Sequence, residues 1–161
     1  MVISLMKKLF YAFAVFACIH SNTVLSETLK LKSRELYFQD SHVICSEKWT
    51  KRGELDNRMY DYCIEGQMEG YEDVKQYHKY IDQEFYSQIA YPYCSKKWTK
   101  RSVVDTRMLA YCLEQEIEGI KDVMYYRERY DAEQVNNIVG RALSRYGSWN
   151  MAAYEVKNAI K

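Results

Sequence analysis

Residues 45–74 read CSEKWTKRGELDNRMYDYCIEGQMEGYEDV, and residues 94–123 read CSKKWTKRSVVDTRMLAYCLEQEIEGIKDV. Aligned at an offset of 49 without a gap, the two segments share 17 of 30 positions. Self-similarity at such a period is the signature of a repeat array, whose units bury their apolar faces against one another. The shared columns include Cys45/Cys94, Trp49/Trp98 and the Thr-Lys-Arg that follows each tryptophan. They continue through Asp56/Asp105, Met59/Met108, Tyr62/Tyr111, Cys63/Cys112, Glu65/Glu114, Glu69/Glu118 and Gly70/Gly119. Within each unit the cysteines stand 18 residues apart.

A looser third copy closes the chain. Ala142 to Tyr146 can be laid on Cys94 to Trp98, and Met151 to Glu155 on Met108 to Cys112, with a connection five residues shorter. Both cysteine positions are lost together, one as Ala142 and the other as Glu155. Joint loss is what pairing inside a unit predicts, since a lone leftover thiol is reactive in an oxidising compartment. Four cysteines allow three connectivities, and Cys45–Cys63 with Cys94–Cys112 is the favoured one.

The segment after Asn57 has no proline before Ala90. Met59, Tyr62, Cys63, Gly70, Val74, Tyr77, Ile81 and Phe85 fall at spacings that fit one helical face. Asp56 suits an N-cap there and Asp105 does the same in the second unit, each offering a carboxylate to first-turn N–H groups. Cys45 to Lys51 and Cys94 to Lys100 read as the last turns of a shorter first helix, with Pro92 in the first turn of the second of these. Positions 52–55 and 101–104 then form the connecting loops. The expected fold class is all-α: tandem disulfide-stapled helical hairpins, two full and one degenerate. Its segments are residues 45–90, 91–137 and 138–161, behind a helical lead-in at 27–44.

Residues 1–26 carry Lys7 and Lys8, no acid, and an apolar run of about 11 residues before a small-residue end at Ser26. This is the pattern of a secretory signal peptide, too short for the roughly 20 residues of a transmembrane helix. Met6 is an alternative start. A lipobox reading, which would lipidate Cys18, is the minor alternative. The whole chain has 161 residues, five cysteines and a net charge of +1. Removing residues 1–26 leaves four cysteines and 21 basic against 22 acidic residues. An even cysteine count in an exported chain is read as disulfides, and a periplasmic or secreted location follows.

Near-neutral charge argues against a nucleic-acid partner. The histidines do not follow the repeat, the cysteine spacing is not that of a zinc knuckle, and no Gly-rich phosphate loop or nucleophile elbow is present. Neither a cofactor nor a metal is expected, and no catalytic constellation stands out. Trp49, Lys51, Arg52, Trp98, Lys100 and Arg101 form two aromatic-basic clusters, the candidate binding surface. An anionic envelope glycan or a phospholipid headgroup is their best partner, while packing on the disulfides is the plain role of the tryptophans. Met59, Tyr62 and their counterparts read as core. Glu65, Glu69 and Asp73, repeated as Glu114, Glu118 and Asp122, form an acidic ridge, expected to be solvated.

The pattern Cys-x₃-Trp … Asp-x-x-Met-x-x-Tyr-Cys resembles a short tandem repeat of uncharacterised secreted proteins from Gram-negative bacteria. Cys45, Trp49, Asp56, Met59, Tyr62 and Cys63 match it, as do Cys94, Trp98, Asp105, Met108, Tyr111 and Cys112. Its glutamine four residues after the second cysteine is Gln67 in one unit and Glu116 in the other. The Trp-to-Asp interval here is about four residues longer. The resemblance covers under half of the chain and implies compartment and architecture, not an activity.

The expected function is that of an exported, non-enzymatic interaction or scaffold module of the bacterial envelope, because stacked helices make extended binding surfaces. Sixteen tyrosines add to this, since tyrosine is enriched at interfaces, although it also fills small cores. The alternatives are a hydrolase of envelope polymers using the acidic ridge and a secreted inhibitor or effector.

Overall fold

A computed structural model describes residues 31–81 and 85–160. The expected signal segment, its cleavage site and Cys18 lie outside the described residues. Among the described residues, five of the six α-helices begin where a side chain supplies an oxygen to the free N–H groups. Helix α1 (Arg34–Trp49) starts at Ser33, whose hydroxyl accepts from the Leu36 N–H. The long helices α2 (Asn57–Tyr80) and α4 (Thr106–Arg129) start at Asp56 and Asp105, which accept from the Met59 and Met108 N–H groups at 3.2 and 3.1 Å. Helix α1 runs unbroken through positions 44 and 45, so the lead-in and the first cysteine share one helix.

The expected long face of α2 ends earlier than the spacing suggested. Ile81 caps the helix, and Phe85 belongs to the next helical run. That run makes one wide π-turn over Tyr86–Ala90 and continues as α3 (Tyr91–Trp98). Pro92 sits in the first turn of α3, where a missing N–H and a rigid φ interrupt a regular ladder least.

The loops are the main departure from expectation. Thr50–Lys51 (β1) pairs antiparallel with Glu54–Leu55 (β2), and Thr99–Lys100 (β3) with Val103–Val104 (β4). The first helix of each unit therefore stops at its tryptophan, not two residues later. The Asp56 and Asp105 N–H groups close the ribbons by donating to the Trp49 and Trp98 carbonyls at 3.1 and 3.0 Å. Both turn residues have positive φ: Arg52 and Gly53 at 55° and 85°, Arg101 and Ser102 at 51° and 67°. This is the two-residue turn whose twist matches a hairpin, and it favours glycine at the second position. Ser102→Gly, which copies Gly53, is expected to stabilise the protein by about 0.5–1 kcal/mol, measured by urea unfolding.

The cysteines pair as Cys45–Cys63 and Cys94–Cys112. Each bond joins the last turns of a first helix to the first turns of the second. The third hairpin, α5 (Ala132–Tyr146) and α6 (Trp149–Ala159), has neither ribbon nor disulfide. Gly147, at φ 65°, ends α5 and its N–H donates to the Leu143 carbonyl. Ser148 then caps α6 through the Met151 N–H. At the lost cysteine position, Glu155 accepts a hydrogen bond from the Tyr146 hydroxyl at 3.3 Å.

The second helices of the three hairpins pack in succession, α2 on α4 and α4 on α6. One core gathers Tyr37, Val74, Phe85, Tyr86, Leu109 and Leu113 around the Cys94–Cys112 bond. A second core joins Val123 of α4 to Val135, Val139 and Ala142 of α5 and Ala152, Ala153 and Val156 of α6. Tyr37 and Tyr86 are fully buried. Burial and the neighbouring Tyr91 hydroxyl hold both phenols well above the usual tyrosine range. Met59 and Tyr62, expected as core, are not: the methionines are half-buried and Tyr62 and Tyr111 are exposed. The buried stripe runs through Cys63, Gln67, Gly70 and Val74; Met59 lies one turn before it near the helix start, and Tyr62 lies to its side.

Candidate functional site

Two residues that the sequence reading passed over hold the units in register. The Gln67 side chain is buried, and its Oε1 accepts from the Thr106 and Arg107 N–H groups at 2.8 and 3.3 Å. Its Nε2 donates to Asp105 Oδ1 at 2.8 Å. Gln67 thus satisfies the first turn of the next unit's second helix, where helices leave N–H groups unpaired. Glu116, one repeat later, does the same for α6. Its carboxylate accepts from the Ser148 hydroxyl at 2.6 Å and the Trp149 N–H at 2.7 Å.

Glycines let these helix ends approach. A Cβ on Gly70 would lie 2.7 Å from Arg107 Cα, and one on Gly119 would lie 2.4 Å from the Asn150 nitrogen. The pairs Gln67/Gly70 and Glu116/Gly119 are therefore one device used twice. The signal that could have revealed it is the Gln-or-Glu position noted in the resemblance, three residues before a glycine in both units.

Burial raises the Glu116 carboxyl above its ordinary value, and the hydrogen bonds from Ser148, Trp149 and Asn150 and the charge of Lys97 oppose this only in part. A raised folded-state value means that the folded protein binds the proton more tightly than the unfolded chain. This group's contribution to stability therefore grows as pH falls through the folded value, and its penalty is fully present above that value. Glu116→Gln copies Gln67 and removes the titration. The advantage of this variant over the parent should be greatest at pH 7 and shrink on acidification, as read from paired thermal melts.

The second ribbon is clasped by the first unit. Asp40 of α1 accepts from the Val104 N–H at 3.0 Å and from Lys32 at 2.8 Å, and Lys32 also donates to the Ser102 carbonyl. Beside this clasp lies a groove of about 610 Å³ between α1 and the ribbon. Trp98, Lys100 and Arg101 line it together with Val43, Ile44 and Lys48 of α1; Glu47 and the cap Asp105 supply its acidic edge. Half of the candidate binding residues are thus brought together. Trp49 ends α1, Lys51 lies on the first ribbon and Arg52 in its turn, and none of the three lines this groove. Trp98 also packs against the main core and Lys97 lies over its ring, so it serves packing and groove at once.

The acidic ridges are solvated as expected, and their facing parts border one shared cleft. Glu69 and Asp73 of α2 and Glu114 of α4 share a cleft of about 170 Å³ with Tyr77, Tyr111 and Arg107. All three carboxylates are exposed, unlike the apolar pocket that keeps a proton-donating acid protonated in a glycosidase. Among the described residues, no group of three or more His, Cys, Asp or Glu could hold a metal ion. No described helix is long and apolar enough to cross a membrane. In comparisons with known proteins, no family model, curated protein or solved structure matches the chain.

Proposed function

We propose that this chain is an exported, non-enzymatic interaction module of the bacterial cell envelope. Its binding groove between α1 and the second ribbon takes anionic groups. The observation that carries this reading is the meeting of Lys48, Lys100 and Arg101 with the apolar wall of Val43, Ile44 and Trp98 in one groove. Three cations beside apolar surface favour a ligand that joins a phosphate or carboxylate to a nonpolar part. A phospholipid headgroup region and an acylated anionic glycan both have that chemistry. The two disulfides support an oxidising compartment, and the lysine-led apolar leader supports export. The resemblance to secreted Gram-negative repeat proteins points the same way.

Co-sedimentation with phosphatidylglycerol vesicles tests the reading, with phosphatidylcholine vesicles as the comparison. Binding to the anionic vesicles should be saturable, salt-sensitive and lost in a Lys100→Glu/Arg101→Glu variant, whose substituted side chains are exposed. A soluble anionic glycan that competes for the groove would assign the glycan source. Equal binding to both vesicle types, or full binding by the charge-reversed variant, would overturn the assignment.

A further inference from the structure

The half-buried methionine and exposed tyrosine that follow each helix cap recur in all three hairpins. They are Met59 and Tyr62 after Asp56, Met108 and Tyr111 after Asp105, and Met151 and Tyr154 after Ser148. The tyrosines are exposed to nearly the same degree, 58%, 55% and 58%. The third hairpin has lost its cysteines and its ribbon but keeps this tyrosine. Exposure of more than half of the ring leaves little for packing to gain, whereas Tyr37 and Tyr86 show how this chain buries a tyrosine it uses as core. Since α2, α4 and α6 pack in succession, the three tyrosines stand at one equivalent position on each of three neighbouring helices, a row that repeats with the units.

The row runs beside negative charge. Glu69, Asp73 and Glu114 share the cleft between α2 and α4 with Tyr111 and Tyr77, and Arg107 is the cation among them. Burial first, and then the field of Glu114, Asp73 and Glu118, raise the Tyr77 phenol above its ordinary value. Carboxylates flanking aromatic faces suit a primary ammonium or a guanidinium, which gains both Coulomb attraction and a cation–π contact. The third unit is less acidic, with Lys157 at the place of Glu114, so the attraction is concentrated on the first two units.

We propose that the Tyr62–Tyr111–Tyr154 row is a docking face for an extended, Lys- or Arg-rich polypeptide segment, whose cations enter the acidic cleft between α2 and α4. A chain polymer suits a row that repeats along the stack, and charge complementarity selects a basic one over an anionic glycan or lipid. No residue of this face lines the groove assigned above to anionic groups. A molecule with both could join a basic protein segment to the envelope surface.

Fluorescence anisotropy with a labelled peptide of repeating Lys-Ser-Gly tests the face, with the Glu-Ser-Gly peptide as comparison. The basic peptide should bind saturably, and Tyr62→Ala/Tyr111→Ala/Tyr154→Ala should weaken it at least about tenfold, as three exposed cation–π contacts imply. Glu69→Gln/Glu114→Gln, which keeps every side-chain shape, provides a second variant and should weaken binding likewise. Three results would overturn the proposal: no saturable binding, equal binding of the acidic peptide, or undiminished binding by the tyrosine variant, which would mean diffuse charge attraction alone. Displacement of the peptide by a neutral oligosaccharide at the tyrosine row would likewise replace the polypeptide with a glycan.

Discussion

Gly119→Ala is expected to lower stability by about 3 kcal/mol and to release the third hairpin from the stack. In a helix interior this substitution normally gains about 1 kcal/mol, because glycine is the poorer helix former. Here the added methyl would meet Trp149 and Asn150 backbone atoms at 2.4–2.6 Å. Backbone cannot rotate aside, so α6 must retreat. Its retreat would stretch the Ser148 and Trp149 hydrogen bonds to Glu116 and open the core around Ala152, Ala153 and Val156. Gly140 is the control: it is exposed in α5 and a Cβ there meets nothing within 4 Å. Gly140→Ala should stabilise by about 0.5–1 kcal/mol. Opposite signs for the two substitutions, from urea titrations of each variant, are the expected result. Gly70→Ala should resemble Gly119→Ala, since its Cβ would lie 2.7–2.9 Å from Thr106 and Arg107 backbone atoms.

Removing the Cys94–Cys112 bond by Cys94→Ala/Cys112→Ala is the second large effect. The bond closes a loop of 18 residues' separation. Releasing a loop of that size restores roughly 3 kcal/mol of unfolded-chain entropy, on the order of 10 °C in melting midpoint for a domain of this size. Truncating two nearly buried sulfurs leaves a void that adds to the loss. The Cys45–Cys63 bond closes a loop of the same length and should contribute a similar amount. Its hairpin carries less of the core, because the residues around Cys94 and Cys112 form the centre of the larger cluster. Reduction should therefore unfold the first two hairpins at lower temperature, while the third, with Ala142 and Glu155 at the cysteine positions, has no bond to lose. Differential scanning calorimetry with and without reductant reads this directly.

The duplicated stretch made the hairpins, their caps and their disulfides legible, because each rests on local chemistry: a carboxylate before a helix, two thiols at fixed spacing, a helical period. The decayed third hairpin was legible for the same reason, through Met151, Tyr154 and a paired loss of cysteines. The ribbons were not, since a two-residue turn is normally announced by glycine or asparagine, and the second unit uses Arg101 and Ser102 in that conformation. Tyr62 and Tyr111 were misplaced in the core because periodicity finds the buried face, here Cys63, Gly70 and Val74, but does not say how wide it is. Gln67 and Gly70 settle that question through contacts with residues about 40 positions later, beyond the reach of a local pattern. Of the candidate site, the residue types were legible and the groove was not: Trp98, Lys100 and Arg101 gain their apolar wall only because Asp40 and Lys32 draw α1 onto the second ribbon.

Each unit is locked to the next by the residue four positions after its second cysteine, Gln67 and then Glu116. Residue-resolved amide hydrogen exchange on the oxidised protein and on Glu116→Ala tests this locking most directly. The Trp149 N–H loses its acceptor in this variant. The predicted result is faster exchange at Trp149 and through α6, with protection retained at Thr106 and Arg107, whose acceptor Gln67 is untouched. Unchanged exchange at Trp149, or an equal loss of protection in all three hairpins, would contradict a stack locked one unit at a time.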